Sequence, residues 1–178
     1  MVEIERKEIS AKELLLRSID IWKNQYFVLA CGDYQKEDFN AMTVAWGSFG
    51  CMWEKPFAQI VVRPTRYTYE FTEKYDNFTL NAFSDNYKKA VLHIGSTSGR
   101  VGNKIRDAGL TATASQHVTS PCFKEADLVL ECRKIYWDDM NPSQFLDPSI
   151  ESNYSENDYH RIYFGEIMGI FGTSAYQR

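Results

Sequence analysis

Short apolar runs separated by polar breaks set the rhythm of this chain, and the period of the apolar positions changes along it. Near the amino end, SAKELLLRSI carries Ser10 and Glu13 at capping-box spacing, which predicts a short helix starting there. QYFVLACGD predicts a strand closed by Gly32 and Asp33. NAMTVAWGSFG (40–50) predicts a second strand, interrupted by small residues. PFAQIVVRP (56–64) predicts a third, so uniformly apolar that both faces should be buried. In RYTYEFTEKYD the period lengthens, and Tyr67, Phe71 and Tyr75 fall four apart on one helical face. NFTLNAFS (77–84) returns to alternation, with Phe78, Leu80 and Ala82 on one side. NYKKAVLHIG predicts a helix ended by Gly95, and SGRVGNKIRDAG a polar loop running into a short helix. ADLVLECRKIYWDDM (126–140) and HRIYFGEIMGIFG (160–172) are long β-rich runs joined by a turn-rich loop. Many strands with few helices predict a mainly β fold, a β-barrel or sandwich with peripheral helices.

Composition narrows this picture. A chain of 178 residues suits one domain with a substantial core, and neither a repeat nor a linker divides it. Apolar content of 44% and charged content of 25% are those of an ordinary globular protein. The net charge of −4 argues against a broad nucleic-acid-binding surface. No apolar run reaches the ~18 residues of a membrane span. The opening MVEIERKEIS lacks an apolar signal core, so the expected location is the cytoplasm. Cys31, Cys51, Cys122 and Cys132 form neither a CxxC pair nor a His/Cys cluster. A zinc or iron–sulfur site is therefore not expected, and the cysteines should be reduced, buried and inert. Triad, metal-hydrolase and P-loop chemistry find no GxSxG, HExxH or GxxxxGK[ST] to support them.

Candidate chemistry concentrates in VVRPTRYTYEF (61–71), where an apolar strand gives way to a helix. A helix amino end carries unpaired amide donors and about half a positive charge. Arg63, Thr65, Arg66 and Thr68 are grouped at that point, a suitable set for a phosphate. The competing reading makes Thr65 a simple cap and pairs both arginines with surface carboxylates; on this segment alone the two are even. In the 40–50 segment, small residues beside Thr43 and Trp46 would let a flat ligand approach the backbone. Backbone crowding and a core tryptophan explain the same residues more simply. Asn81 and Ser84 end another strand, and Lys88 and Lys89 follow on a helix, where a solvated face is the usual fate of paired lysines.

Taken in order, NAMTVAWGSFG, VRPTRYTYEF, FTLNAF, YKKA, GSTSGR, LVLEC and DYHRIYFGEI resemble the flavin reductase-like, FMN-binding split-barrel family, most of all its flavoredoxin-type branch. The resemblance runs from about residue 20 to 172. It implies a six-stranded split β-barrel, usually a homodimer, with one FMN per subunit and NADH or NADPH as co-substrate. It implies that Thr43, Val44, Ala45 and Trp46 line the flavin ring, that Arg63, Thr65, Arg66 and Thr68 hold the phosphate and ribityl chain, and that Trp46, Tyr67 or Phe83 supplies apolar cover. Asn81, Ala82 and Phe83 would pack on the other ring edge, with Lys89 as the better lysine for the phosphate. Ser98 and Arg100 belong to the family's SGR loop, and His160 would sit near the open flavin face. A loop histidine capping a strand is an equal reading of His160. The acidic positions expected after SGR are absent from SGRVGNK, which should leave Arg100 and Lys104 without local carboxylates. The chemistry implied is hydride transfer from NAD(P)H to flavin. The alternatives are a carrier whose bound FMN is reduced by a protein partner, and a non-redox FMN-binding barrel.

Overall fold

The computed structural model describes residues 4–178. In chain order the elements are β1 (Lys7–Glu8), α1 (Ser18–Asp20) running into a π-helical turn (Ile21–Gln25), β2 (Phe27–Asp33), β3 (Asp38–Val44), β4 (Gly47–Met52), β5 (Lys55–Val62), α2 (Tyr67–Lys74), β6 (Asn77–Ala82), α3 (Lys88–Ser96), α4 (Lys104–Asp107), β7 (Ala112–Thr113), β8 (Cys122–Phe123), β9 (Leu128–Asp139) and β10 (Arg161–Gly172). The fold is mainly β, as the periodicity predicts. The main sheet runs β3-β2-β6-β9-β10-β5-β4, with β1 added to β10 and every pairing antiparallel. It has eight strands rather than six, because β4 extends one end and the two-residue β1 adds another. β3 and β5 come close to each other without sharing a ladder, so the curled sheet is left with an open seam between them.

Two apolar layers hold the sheet in shape, and strand alternation distributes residues between them. Phe27, Leu29 and Cys31 of β2 point inward, where they meet Phe78, Leu80 and Ala82 of β6 and Leu128, Leu130 and Cys132 of β9. Val28 and Ala30 point the other way, beneath Val91 and Ile94 of α3 and beside Phe123 and Val129. β2 is therefore buried along its whole length. Each such large side chain contributes about 1.5–3 kcal/mol of burial free energy.

Three local expectations are corrected. The Ser10–Glu13 box forms, with Ser10 N and Oγ both donating to Glu13 Oε2, but it closes a single turn. Leu14 then enters a β-bridge with Gln177, and the helical segment starts only at Ser18. The 40–50 segment is two strands, β3 and β4, with Ala45 and Trp46 at the corner between them. A Cβ on Gly47 would lie 2.4 Å from the Gln59 carbonyl and 2.5 Å from Trp22 Cη2, so crowding explains that glycine. Finally, Cys31, Cys122 and Cys132 are buried, but Cys51 is exposed on β4. Burial pushes the Cys31 thiol up to about 12.

Candidate ligand groove at the open seam

As the end strand of the sheet, β3 pairs with β2 on one side only, and its other edge faces the seam. Two small cavities lie along that edge. One, of about 190 Å³, is bordered by Met42 to Trp46, by Val61 and Arg63 at the end of β5, and by Arg66 and His160. The other, of about 180 Å³, is bordered by Thr65 to Thr68, the Ile94–Arg100 stretch, Asn40 and Lys104. They share Met42, Thr43 and Arg66, so they are two ends of one groove. Either alone is smaller than the ~300–1,000 Å³ of a typical ligand pocket; as one groove they suit an elongated ligand.

The two arginines of RPTRYT are treated differently. Arg63 Nη1 donates to Asp158 at 3.0 and 3.2 Å, and Nη2 donates to the Asn153 carbonyl at 2.7 Å. Its guanidinium also lies 5.1 Å from the centre of the Tyr154 ring. Thr65 Oγ1 donates to the same carboxylate at 3.1 Å. Burial raises the Asp158 pKa, but the bonds from Arg63 and Thr65 outweigh it and hold the carboxyl below its usual range. Arg63 and Thr65 thus follow the ion-pair reading, although Thr65 is not the helix cap. That position belongs to Arg66, whose backbone is extended and whose side chain makes no capping bond. Among the described residues the Arg66 side chain has no hydrogen-bond or ion-pair partner, and it borders both ends of the groove.

Lys104 is the group that sequence reasoning undervalued. It is 5% exposed, and its Nζ donates to the Ile94 and Thr97 carbonyls at 3.0 and 2.9 Å. Those carbonyls belong to the last turn of α3 and its cap, a favourable place for a cation. No carboxylate within ion-pair distance accompanies it among the described residues. Burial, and then the charge of Arg66, lower its pKa to about 8. Lys104 and Arg66 thus put two cations that repel each other at one end of the groove, a setting that favours a negative charge. The SGR loop closes that end. Gly99 fits closely there: a Cβ would stand 2.3 Å from Asn40 Oδ1, so the Asn40 side chain would have to shift. Asn40 Nδ2 in turn donates to the buried Thr68 Oγ1 at 2.9 Å. Ser98 borders the pocket, and its Oγ accepts from the Arg100 amide at 3.2 Å. Arg100 finds a carboxylate from outside its loop, donating to Glu70 of α2 at 2.5 Å and lying 4.8 Å over the Tyr67 ring. Only Lys104 of the two is left without one.

The other end adds apolar and aromatic groups beside Arg63 and Arg66. Val44 is buried, Thr43 Oγ1 donates to the Val91 carbonyl, and the half-exposed Trp46 ring lies 5.1 Å from His160. His160 Nδ1 and the Tyr154 hydroxyl are 2.8 Å apart. Burial, and then the charge of Arg63, hold His160 down at about 4, so it is neutral at pH 7.

Asn81, Ala82, Phe83 and Lys89 border neither end of the groove. Asn81 is fully buried, with Nδ2 donating to the Val28 carbonyl and Thr79 Oγ1 while Oδ1 accepts from the Phe123 amide. Ala82 faces the barrel interior, and Phe83 packs in the outer layer beside Tyr87 and Phe123. Lys89 is exposed on α3, and Lys88 reaches back to the Asn24 carbonyl over the Tyr26 ring. Asn40, Tyr154 and Asp158 were missed because each takes its role from a partner distant in sequence or not identifiable from it. For Lys104 a signal existed: a lysine following a loop with two glycines, directly after a predicted helix end.

A curled antiparallel sheet with an open seam between β3 and β5 is the architecture of a split barrel. The family model for the flavin reductase like domain matches residues 22–173, and the chain belongs to that family. Among solved structures, the flavoredoxin of Desulfovibrio vulgaris (Miyazaki F) superposes with a TM-score of 0.65 at 21% identity, over 96% of this chain and 78% of its own. An FMN-binding domain of a flavin reductase-like enzyme from Shewanella baltica gives 0.67 at 17% identity, over 97% and 79%. The NADH:FAD oxidoreductase of Streptomyces globisporus gives 0.64 at 15% identity, over 86% and 78%. At these identities the likeness is one of fold. No curated protein matches the sequence. No helix among the described residues is long and apolar enough to cross a membrane.

Proposed function

We propose that the chain binds FMN along the seam and acts as an oxidoreductase, accepting hydride from NADH or NADPH and passing electrons onward. The observation that carries this reading is the pair Arg66 and Lys104, two cations without a carboxylate at the closed end of an aromatic groove. The residues present fit the group. Arg66, Lys104 and Ser98 would hold its phosphate, with the first-turn amides of α2 adding donors. The free edge of β3 from Thr43 to Ala45 would offer backbone donors and acceptors to the polar edge of the ring. Trp46 covers the mouth and keeps water from one side. Tyr154 fixes the orientation of His160, which as a neutral ring adds cover without charge. FMN when bound supplies the redox chemistry, and the chain's part is to position it and exclude water.

On the same reading the chain is cytoplasmic, forms a homodimer and works as one domain. A second reading, an electron carrier reduced by a protein partner, is favoured by the exposed aromatic pair of Trp53 and Tyr136, which pack with each other and with Phe164. Anaerobic visible spectra separate the two. Flavin absorbance that bleaches on adding NADH or NADPH is expected for the reductase. Absorbance that persists with both and falls with dithionite would overturn it in favour of the carrier. A colourless protein that ignores added FMN would sink both.

A further inference from the structure

A second space opens beside the β3–β4 corner. Its volume is about 560 Å³, and Ala45 and Trp46 border both it and the seam groove. The flavin reading gives it no role. We propose that it is a binding site for a small aromatic carboxylate, held at the mouth of the seam. The inference stands on this cavity and does not need a bound flavin.

The local backbone marks the place. Ile19, Trp22, Lys23 and Tyr26 fall at helical spacing and border the cavity together. The chain there is the π-helical turn Ile21–Gln25, closed by the Tyr26 amide donating to the Ile21 carbonyl at 2.8 Å. Such turns are frequent at functional sites. Tyr26 then takes φ 68° and ψ 158°, a conformation essentially reserved for glycine. Strain of this kind clusters where ligands bind.

The walls name the ligand. Trp22 is 6% exposed and stacks on Phe49, their ring centres 5.2 Å apart and their planes 29° from parallel. Tyr26 and the half-exposed Trp46 add ring surface, so the lining suits a flat apolar body. Trp22 Nε1 is buried without a hydrogen-bond partner among the described residues. An indole N–H only donates, so what this wall lacks is an acceptor. Charge agrees. Lys23 and Tyr26 are the titratable groups that border the cavity, and Lys23 makes no ion pair or side-chain hydrogen bond among the described residues. Asp20 does not border the cavity; it pairs with Arg17 at 3.5 Å and accepts from Asn24 Nδ2 at 2.7 Å. Lys88, 4.3 Å from the centre of the Tyr26 ring, adds positive charge nearby. A flat ring ending in a carboxylate meets each of these demands.

The test is an NMR titration of the full chain with 2-naphthoate, read at the indole N–H signals, with and without FMN. Of the four tryptophans, Trp46, Trp53 and Trp137 are exposed, so single phenylalanine substitutions assign them and leave Trp22 by elimination. Saturable movement of the Trp22 and Trp46 signals is expected in both states, with Trp53 and Trp137 unmoved. Lys23→Gln should weaken 2-naphthoate roughly fivefold, the scale of one exposed charge pair. It should leave the uncharged 2-naphthalenemethanol unaffected. A still Trp22 signal overturns the proposal, and movement of Trp46 alone places the acid in the seam instead. Lys23→Gln with no effect, or with an equal effect on acid and alcohol, also overturns it. So does NAD⁺ moving Trp22 as 2-naphthoate does, which gives the cavity to a coenzyme, or movement on dilution alone, which gives it to a second copy. A chain that binds 2-naphthoate and ignores FMN keeps this site and loses the flavin reading.

Discussion

Arg63 and Arg66 stand three residues apart in one motif, and their surroundings differ in kind. Arg63 lies at the corner where the β9–β10 connection crosses the end of β5. Asp158, the Asn153 carbonyl and the Tyr154 ring all engage it there. Arg66 has only another cation, Lys104, across the pocket. The first arginine is part of the architecture, and the second leaves an unmet demand for negative charge. A motif thus reports which residue types are present, while the partners available in the fold decide which of them reach a ligand.

The largest expected effects fall on the pocket. Arg66→Ala should weaken FMN by about 1.5–3 kcal/mol, roughly ten- to hundredfold, and Lys104→Met by a similar amount. Riboflavin, which lacks the phosphate, should bind both variants as it binds the native chain. An equal loss for riboflavin in either titration would erase the contrast between the two arginines.

At the corner, Arg63→Ala should cost about 1–3 kcal/mol of folding stability by chemical denaturation, because it leaves the largely buried Asp158 carboxylate unpaired. The Asp158 pKa is lowered in the fold. Its contribution is therefore present above the unfolded carboxylate value of about 3.9 and is lost as pH falls through the folded one. Native and variant stabilities should converge in acid. A variant as stable as the native chain at neutral pH, yet unable to bind FMN, would move Arg63 from the architecture to the site.

A finer test is pH. With Lys104 titrating at about 8 in the free protein, FMN affinity should be flat from neutrality up to that value. Above it, binding must restore the proton, and affinity should fall by up to about tenfold per pH unit. Titrations in buffers of different ionisation enthalpy should reveal proton uptake at about pH 9 and none attributable to this group near neutrality. Lys104→Arg should flatten the profile. A native profile that stays flat through this range would remove Lys104 from the pocket. The smallest effect is expected of Lys89→Ala, which should leave FMN affinity unchanged by titration; a marked loss would return that lysine to the phosphate.

Alternation made most strands readable, since Phe78, Leu80 and Ala82 had only one way to share a face. The 40–50 stretch was misread at its middle, where a tight corner and an interrupted strand use the same small residues. Site residues were harder. The 95-residue separation between Arg63 and Asp158 hides their pairing from any local pattern. Asn81 looks like a strand-end ligand in sequence, but its amide is fully engaged in joining β2, β6 and β8. Lys104 reads as surface, because lysine is normally solvated. Its burial follows from the carbonyls that α3 turns toward it, a property of how that helix ends.

The seam has a thermodynamic consequence. No ladder joins β3 to β5, and the groove lies along that gap. A ligand lying there binds the closed form and not the separated edges. It therefore acts as a reversible staple whose strength is set by its free concentration, about 2.7 kcal/mol when that exceeds the dissociation constant a hundredfold. Amide exchange along β3 should slow in proportion, and the melting temperature of the chain becomes a gauge of ligand supply.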